Sequence, residues 1–242
     1  MKTINQSNEG GRFVLIYGET GVGKSTSALL TMPQPIDAIF TEPRDPRKFL
    51  LDQEIDVDFK FPESYEDLIA YLDGEVKKET LNYKSTLFDS ASYFMNVSLQ
   101  QSIQDETYDA EIFKRRRNLV DMTRVDEAGF GALSSLMKRV CKLLGMLSQR
   151  GILVVATALV MENPKFNRDL SAFPAFLGRD FPTNFPAYFD VIGLVEKRTD
   201  ENGEIIYPPL IKFEGEGFLC KWTGIKPVKK LVGPLDFKKI FK

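Results

Sequence analysis

Eight residues near the N-terminus have the types and the spacing that bind a phosphate chain. They run from Gly18 to Ser25 in the pattern Gly-x-x-x-x-Gly-Lys-Ser. In such a loop, glycines let backbone N–H groups turn toward an anion, the lysine reaches the β- and γ-phosphates, and the serine hydroxyl is a ligand for Mg²⁺. We therefore predict a site for ATP and Mg²⁺. The residues predicted to contact the nucleotide are Gly18, Glu19, Thr20, Gly21, Val22, Gly23, Lys24, Ser25 and Thr26.

The segments on either side of this loop favour a phosphate site over a chance glycine-rich turn. An apolar run from Phe13 to Tyr17 precedes the loop, and a helix-forming stretch from Ser27 to Met32 follows it. A strand, a loop and a helix N-terminus in this order direct backbone N–H groups and the positive end of the helix dipole toward phosphate.

An aspartate at the end of a predicted strand is expected to help bind the metal ion. The run Thr86-Leu87-Phe88 ends in Asp89. In proteins with a phosphate loop, an Asp at the end of an apolar strand holds the water shell of Mg²⁺. We predict this role for Asp89, with Ser25 as the direct ligand. The alternative is that Asp89 caps the helix that follows it.

Hydrolysis also needs a group that orients or deprotonates water. The chain contains no histidine, and Glu42 lies at the end of the predicted second strand, Ile36 to Thr41. Because the carboxyl ends of the strands face the ligand crevice in a doubly wound sheet, we predict that Glu42 is the catalytic base. The alternative is an ion pair with Arg44 or Arg47. Glu19 competes for the role, but a solvent-facing position is the better interpretation.

Thr157 is the third candidate catalytic residue. It ends the apolar run Leu153 to Ala156. A hydroxyl at this position can contact the γ-phosphate or the attacking water, in a catalytic role with Glu42 and Lys24. It can equally belong to a strand residue whose hydroxyl is satisfied within the protein.

The remaining pattern predicts an α/β fold. Predicted strands alternate with helices, which is typical of a mostly parallel sheet with helices on both faces. A capping pattern at Ser64 and Asp67 starts a helix that we expect to reach about Leu72, and Phe130 to Gln149 has strong helical periodicity. Three late strands are expected at Val191–Val195, Ile205–Phe213 and Gly217–Trp222, of which the last two look like a β-hairpin.

Length and composition limit the classes of protein. At 242 residues, with 43% hydrophobic residues and a net charge of −2, the chain is expected to form one large domain without an overall basic field. We expect a polar tail at 1–11, an ATPase domain at 12–224 with a helical insertion at about 100–128, and a basic tail at 225–242. The two cysteines fit no metal spacing, no signal peptide is expected, and the longest apolar run is too short to span a membrane. A cytoplasmic protein is therefore expected.

These residues together carry a family resemblance. The loop, with Glu42, Asp89 and Thr157 closing three strands, resembles the core of RecA-like ATPases. More closely, the chain is similar to phage-encoded nucleotide-binding proteins of the AAA grouping, some of which act as single-strand annealing or recombination ATPases. The resemblance implies that Glu42 is the catalytic Glu, Asp89 the metal-side Asp and Thr157 the γ-phosphate sensor.

The resemblance also implies partners. These are single-stranded DNA, further copies of the chain in a ring or filament, and phage or host replication and recombination proteins in the bacterial cytoplasm. Two positions depart from the family pattern. Glu19 replaces a Pro or small residue, and the segment Gly217 to Gly224 lacks the more basic ending of the family, which argues against Lys221 reaching a neighbour's nucleotide.

Three segments are candidates for contact with DNA. The first is Val160 to Tyr188, where aromatic residues lie among Lys165, Phe166, Arg168 and Arg179; rings that stack on bases beside cations are typical of single-strand binding. The alternative is that this Phe-rich segment packs onto the core. The second is the basic run Lys114 to Arg117. The third is the lysine-rich tail, whose apolar residues favour docking on a neighbouring subunit.

Other functions remain open at this point. A nucleoside or nucleotide kinase is compatible with the segment Thr41 to Arg44, but we find no arginine-rich lid. A nucleotide-gated module, such as a helicase loader or a packaging component, is also compatible with the phosphate loop.

Overall fold

The computed structural model describes residues 11–50, 53–103, 127–162, 164, 169–178, 180–223 and 232–241. Residues 1–10 of the expected N-terminal tail and residues 104–126 of the expected insertion lie outside this part. The basic run Lys114 to Arg117 therefore also lies outside it.

The chain alternates strands and helices as predicted, but the strand expected at Gly217–Trp222 covers only Lys221–Trp222, and the one expected at Val191–Val195 continues to Thr199. The strands are β1 (Phe13–Gly18), β2 (Ile36–Phe40), β3 (Val57–Lys60), β4 (Ser85–Asp89), β5 (Leu153–Glu162), β6 (Ala172–Pro174), β7 (Val191–Thr199), β8 (Ile205–Lys212), β9 (Lys221–Trp222) and β10 (Val232–Pro234). The helices are α1 (Lys24–Thr31), α2 (Tyr65–Lys77), α3 (Ala91–Tyr93), α4 (Glu127–Ser148), α5 (Asp180–Asn184) and α6 (Phe237–Ile240). Short 3₁₀ helices lie at Pro46–Phe49 and Phe185–Tyr188, and a π-helical segment at Phe94–Leu99.

The strands form one sheet in the order β10-β8-β7-β1-β5-β4-β2-β3. All neighbours from β3 to β7 run parallel, and β8 and β10 extend the sheet with antiparallel pairs. β1, which carries the phosphate loop, lies in the middle of the sheet. Because β5 lies between β1 and β4, the loop and Asp89 are separated by one strand.

Alternating residues of β1 pack on opposite faces of the sheet. Phe13, Leu15 and Tyr17 belong to one buried cluster with α2 and α4, whereas Val14 and Ile16 belong to a second cluster with α1 and α6. Burial of both faces explains why the central strands are almost continuously apolar. The sheet is therefore covered by helices on both sides, and the edge formed by the carboxyl ends of its parallel strands is left for a site.

Two predicted elements differ in detail. α2 continues to Lys77 rather than ending near Leu72. The Arg150 guanidinium donates hydrogen bonds to the carbonyls of Glu75 and Val76 in its last turn, at 2.8 and 3.3 Å, and these carbonyls have no partner within the helix. The predicted hairpin of the last two late strands is wrong: β8 forms its hairpin with β7, and β9 also pairs with β7.

The C-terminal segment completes this domain. β10 extends the sheet, and Leu235, Phe237 and Ile240 are buried in the cluster that contains α1. The Phe241 ring stacks on Trp222, with the Arg12 guanidinium above both rings. The expectation that these apolar residues dock on a neighbouring subunit is not met, since they fill the core of their own chain.

The predicted fold class is confirmed: the protein is α/β, with a mostly parallel central sheet, helices on both faces and a late β-hairpin. Within the described ranges, no helix is long and apolar enough to cross a membrane.

Candidate nucleotide-binding site

The phosphate loop leaves β1 at Gly18, where the backbone is tightly packed. Gly18 pairs with Leu159 on one side and Val195 on the other, and a Cβ at Gly18 would lie 2.2 Å from the Val195 carbonyl oxygen. At the other end of the loop, Gly23 has a φ of +92° and starts α1. Both positions require glycine, for packing at the first and for backbone conformation at the second. The predicted strand–loop–helix arrangement is therefore present.

Lys24 closes the loop on itself. The residue is 7% exposed, and its ammonium group donates hydrogen bonds to the carbonyls of Gly18 and Glu19 at 2.9 and 2.7 Å. Burial lowers the pKa of Lys24 to about 8, although the carboxylates of Asp89 and Glu42 oppose this shift. A buried ammonium group at this position favours an anionic ligand, because such a ligand would replace carbonyl dipoles with full negative charge.

Asp89 is held by Thr157 on the neighbouring strand. The Thr157 hydroxyl, which is fully buried, donates a hydrogen bond to Asp89 Oδ1. The helix after Asp89 is capped instead by Ser90, whose hydroxyl accepts from the Tyr93 N–H, so the alternative role of Asp89 as a helix cap is wrong. The Thr157 hydroxyl is therefore hydrogen-bonded within the protein, which was the alternative interpretation of this residue. The contact leaves Asp89 Oδ2 facing the phosphate loop.

Glu42 reaches the same place from β2. Thr41 fixes the end of this strand against β4, because its hydroxyl donates to the Ser90 carbonyl at 3.0 Å and accepts from the Ser90 N–H at 3.1 Å. Glu42 therefore follows directly beside Asp89 at the carboxyl edge of the sheet. Its carboxylate pairs with Arg44, with Oε2 2.8 Å from Nε. The ion pair with Arg44 that we considered as the alternative is thus present.

Arg44 also contacts the predicted metal ligands. Its Nη2 donates to Ser25 Oγ at 2.9 Å and to Asp89 Oδ2 at 3.3 Å. One guanidinium group therefore joins the hydroxyl of the phosphate loop to the carboxylates of two strands. From the sequence, Arg44 was considered only as a partner of Glu42 or a contact of a kinase substrate, and its contacts with Ser25 and Asp89 were not predicted.

The residues around Arg44 fit a magnesium ion. A serine hydroxyl and carboxylate oxygens are the hard ligands that Mg²⁺ prefers, and a cationic group already lies among them. Within the described ranges there is no group of three or more His, Cys, Asp or Glu side chains that would hold a metal. Protein ligands alone are therefore few, which is typical of sites where substrate phosphates supply further oxygens.

These groups line one cleft of about 300 Å³. Its lining residues are Thr20, Gly21, Gly23, Lys24, Ser25, Thr26, Glu42, Arg44, Asp89, Ser90, Tyr93, Thr157, Ala158, Leu159 and Tyr207. Three of the predicted nucleotide contacts, Gly18, Glu19 and Val22, are not among these lining residues. The Glu19 side chain pairs with Lys197 at 3.1 Å, Val22 is buried in the core, and Gly18 lies within the sheet.

Tyr207 lines the cleft but was not among the site residues predicted from the sequence. Its side chain comes from β8, and its ring lies so close to the phosphate loop that a Cβ at Gly23 would be 2.8 Å from it. The residue is 57% exposed, so the face of the ring not turned to Gly23 is open to solvent. The hairpin of β7 and β8 therefore forms one wall of the cleft.

The Phe-rich segment from Val160 to Tyr188 packs onto the core where it is described. Phe173, Phe176, Phe181 and Phe185 are buried and pack ring against ring. Their rings are therefore not available to stack on bases, and for them the alternative interpretation holds. The predicted DNA contacts Lys165, Phe166, Arg168 and Arg179 lie outside the described residues.

Lys221, the residue considered for contact with a neighbour's nucleotide, is used within the chain. Its ammonium group donates to the carbonyls of Pro186 and Phe189 at 2.9 and 2.6 Å.

No protein-family model matches the sequence, and no curated protein matches it either. Among solved structures, the chain is similar to the RadB recombinase, with 13% identity, a TM-score of 0.48, and coverage of 86% of this chain and 84% of that one. It is also similar to the flagellar accessory protein FlaH from Methanocaldococcus jannaschii, with 14% identity, a TM-score of 0.39, and coverage of 88% and 80%. Likenesses this distant carry no argument about function.

Proposed function

We propose that this protein is an ATPase that binds ATP with Mg²⁺ at the phosphate loop. The observation that carries the proposal is the convergence of Lys24, Ser25, Glu42 and Asp89 in one cleft at the carboxyl edge of the parallel strands. A phosphate loop alone supports nucleotide binding. A carboxylate on the metal side and a second carboxylate beside it are what hydrolysis adds.

The loop side of the cleft binds and orients the phosphates. The first turn of α1 lines the cleft, and the N–H groups of a helix N-terminus favour phosphate. The ammonium group of Lys24 lies next to the loop carbonyls that it would leave for a phosphate oxygen. The Ser25 hydroxyl would be a ligand of Mg²⁺, and Asp89 Oδ2, which accepts from Arg44 here, would hold its water shell. When bound, Mg²⁺ neutralises charge on the β- and γ-phosphates.

The opposite side of the cleft supplies the base. Glu42 would accept a proton from the attacking water through a carboxylate oxygen, and its position is set by Thr41 on β2. Thr157 acts through Asp89: its donated hydrogen bond selects which carboxylate oxygen faces the metal. This positioning role replaces direct contact with the γ-phosphate as the function we propose for Thr157.

Hydrolysis can be tested with Glu42→Gln, which keeps the size of the side chain but removes the base. Phosphate release at saturating Mg-ATP should fall by about a hundredfold or more, the usual scale for losing a general base, while the affinity for a non-hydrolysable ATP analogue stays close to wild type. Asp73→Asn on the exposed face of α2 is the matched control and should not change either quantity. Wild-type phosphate release in Glu42→Gln would place the base elsewhere.

The finer proposal is that the ATPase is RecA-like, assembles into a ring or filament, and acts on single-stranded DNA in phage recombination, annealing or replication. Its support is the resemblance of the sequence motifs to that group. The buried phenylalanines of the segment Val160 to Tyr188 are not available for this contact, and Lys165, Phe166, Arg168 and Arg179 are the residues proposed for it.

Fluorescence anisotropy of a labelled single-stranded oligonucleotide tests this part separately. We expect binding that weakens with added salt and changes with Mg-ATP, because phosphate contacts release counterions. Hydrolysis of ATP without DNA binding in any nucleotide state would contradict it. That result would favour a nucleotide kinase or a nucleotide-gated loader or packaging module.

A further inference from the structure

The guanidinium of Arg44 lies where three oxygen ligands meet. Its Nη2 is 2.9 Å from Ser25 Oγ and 3.3 Å from Asp89 Oδ2, and its Nε is 2.8 Å from Glu42 Oε2. The first two oxygens are those assigned to the metal. A guanidinium group has several N–H donors in one plane and can contact these oxygens together, whereas a lysine ammonium group is a compact point charge.

Arg44 is more exposed than Asp89 and Ser25, and burial of the Asp89 carboxylate strengthens its interaction with the guanidinium group. Asp89 is 1% exposed and Ser25 6%, whereas the Arg44 side chain is 44% exposed and reaches the carboxylate from the solvent side. Removing a cation from a buried carboxylate leaves an uncompensated charge, which is strongly unfavourable. Lys24 interacts with Asp89 through space, and Arg44 is in contact with Oδ2, so loss of Arg44 without a replacement cation is unfavourable for Asp89.

Two cations cannot occupy this position together. A metal ion on Ser25 Oγ, with its water shell held by Asp89 Oδ2, would need the same lone pairs to which Nη2 donates. Like charges at such a distance also repel. Binding of the metal therefore requires that the guanidinium move away from Ser25 and Asp89. The exposed side of Arg44 leaves room for this movement.

We propose that Arg44 is an internal counter-cation of the metal site: it holds Ser25, Asp89 and Glu42 in the nucleotide-free protein and is exchanged for the metal that arrives with the nucleotide. This inference rests on the proposed function and assigns Arg44 as a positioning residue of that site. The exchange makes the metal compete with a group of the protein. It also keeps a positive charge near the phosphates when nucleotide binds without metal.

Both consequences act on one measurable ratio. The ratio is the dissociation constant of the ATP analogue AMP-PNP in excess EDTA divided by that in saturating Mg²⁺, with both values from titration calorimetry. Arg44→Gln removes the competitor of Mg²⁺ and also removes a cation that attracts metal-free nucleotide. The ratio should therefore rise by about tenfold or more, which corresponds to the loss of one charge-assisted contact of ~1.4 kcal/mol.

Arg47→Gln is the matched control. Arg47 lies three residues away, its side chain is 67% exposed, and it pairs with Asp45 outside the cleft. Its ratio should equal that of wild type. Arg44→Lys keeps the charge but cannot span the three oxygens, so its ratio should lie between wild type and Arg44→Gln; it also serves if Arg44→Gln does not fold, as judged from thermal melting.

The outcomes separate this inference from the proposed function. Equal ratios in wild type and in both Arg44 variants, with clear AMP-PNP binding, would overturn the role of Arg44 and leave the nucleotide site intact. No AMP-PNP binding by the wild-type protein under either condition would overturn the proposed function and this inference with it.

Discussion

Asp37 is expected to lower the free energy of unfolding as pH rises, the reverse of the effect of a carboxylate whose pKa is lowered by folding. The residue lies on β2, the strand that leads to Glu42, and it is 2% exposed. The Tyr71 hydroxyl donates a hydrogen bond to Asp37 Oδ1 at 2.6 Å, but Oδ2 has no hydrogen-bond partner in the described structure. Burial raises the pKa of Asp37 from 3.8 to about 6; the hydrogen bond from Tyr71 opposes the shift, and the nearby Glu75 adds to it.

The sign follows from comparing the folded and unfolded states. Because the folded state holds the proton of Asp37 more tightly, the free energy of unfolding falls as pH rises from about 4 through about 6, and the full penalty is present above about 7. A pKa that moves from 3.8 to about 6 corresponds to ~3 kcal/mol at the upper end. Of this, ~2 kcal/mol develops between about pH 4.5 and about pH 7.5.

Asp37→Asn removes the titration while keeping an acceptor for Tyr71. Urea unfolding of both proteins at several pH values gives the difference in free energy of unfolding, variant minus wild type. This difference should become more positive by ~2 kcal/mol from about pH 4.5 to about pH 7.5. Asp73→Asn, on the exposed side of α2, should show a flat difference. A flat difference for Asp37→Asn as well would refute the reasoning.

Two further predictions concern the cleft. Gly23→Ala should lower the free energy of unfolding by ~1–3 kcal/mol and weaken nucleotide binding, because the new Cβ meets the Tyr207 ring at 2.8 Å and φ is +92°. Gly74→Ala in α2, where nothing lies within 4 Å of the added Cβ, should instead be neutral or stabilising in urea unfolding. Thr157→Val should lower the free energy of unfolding by ~1–3 kcal/mol, since the buried Asp89 loses a donor, and equal stability to wild type would show that Asp89 does not depend on it.

The parts of the site that the sequence predicted are those determined by local pattern. The phosphate loop needs only the strand before it and the helix after it, and these neighbours in sequence are also neighbours in space. Asp89 ends a recognisable apolar strand and Glu42 follows another, whereas the strand of Thr157 continues past its apolar run to Glu162. In a parallel sheet, such ends meet at one edge whatever the strand order.

The parts that were missed depend on contacts distant in sequence. Arg44 contacts Asp89 as well as Glu42 because β2 lies beside β4. Tyr207 lies in the cleft because the β7–β8 hairpin packs beside β1. The burial of Phe173 and Phe185 likewise depends on packing against other elements, whereas composition alone favoured exposed rings as much as buried ones. Strand order and hairpin partners are set by such long-range pairing, which residue patterns do not encode one segment at a time.

Calorimetric titration of the wild-type protein and of Lys24→Ala with AMP-PNP and Mg²⁺ tests directly whether the phosphate loop binds nucleotide. Lys138→Ala, which removes an ion pair of α4 with Asp180, is the control. We expect one nucleotide-binding site per chain in the wild type and in Lys138→Ala, and no measurable binding in Lys24→Ala. Equal binding by Lys24→Ala and wild type would contradict the assignment of the phosphate loop as the nucleotide site.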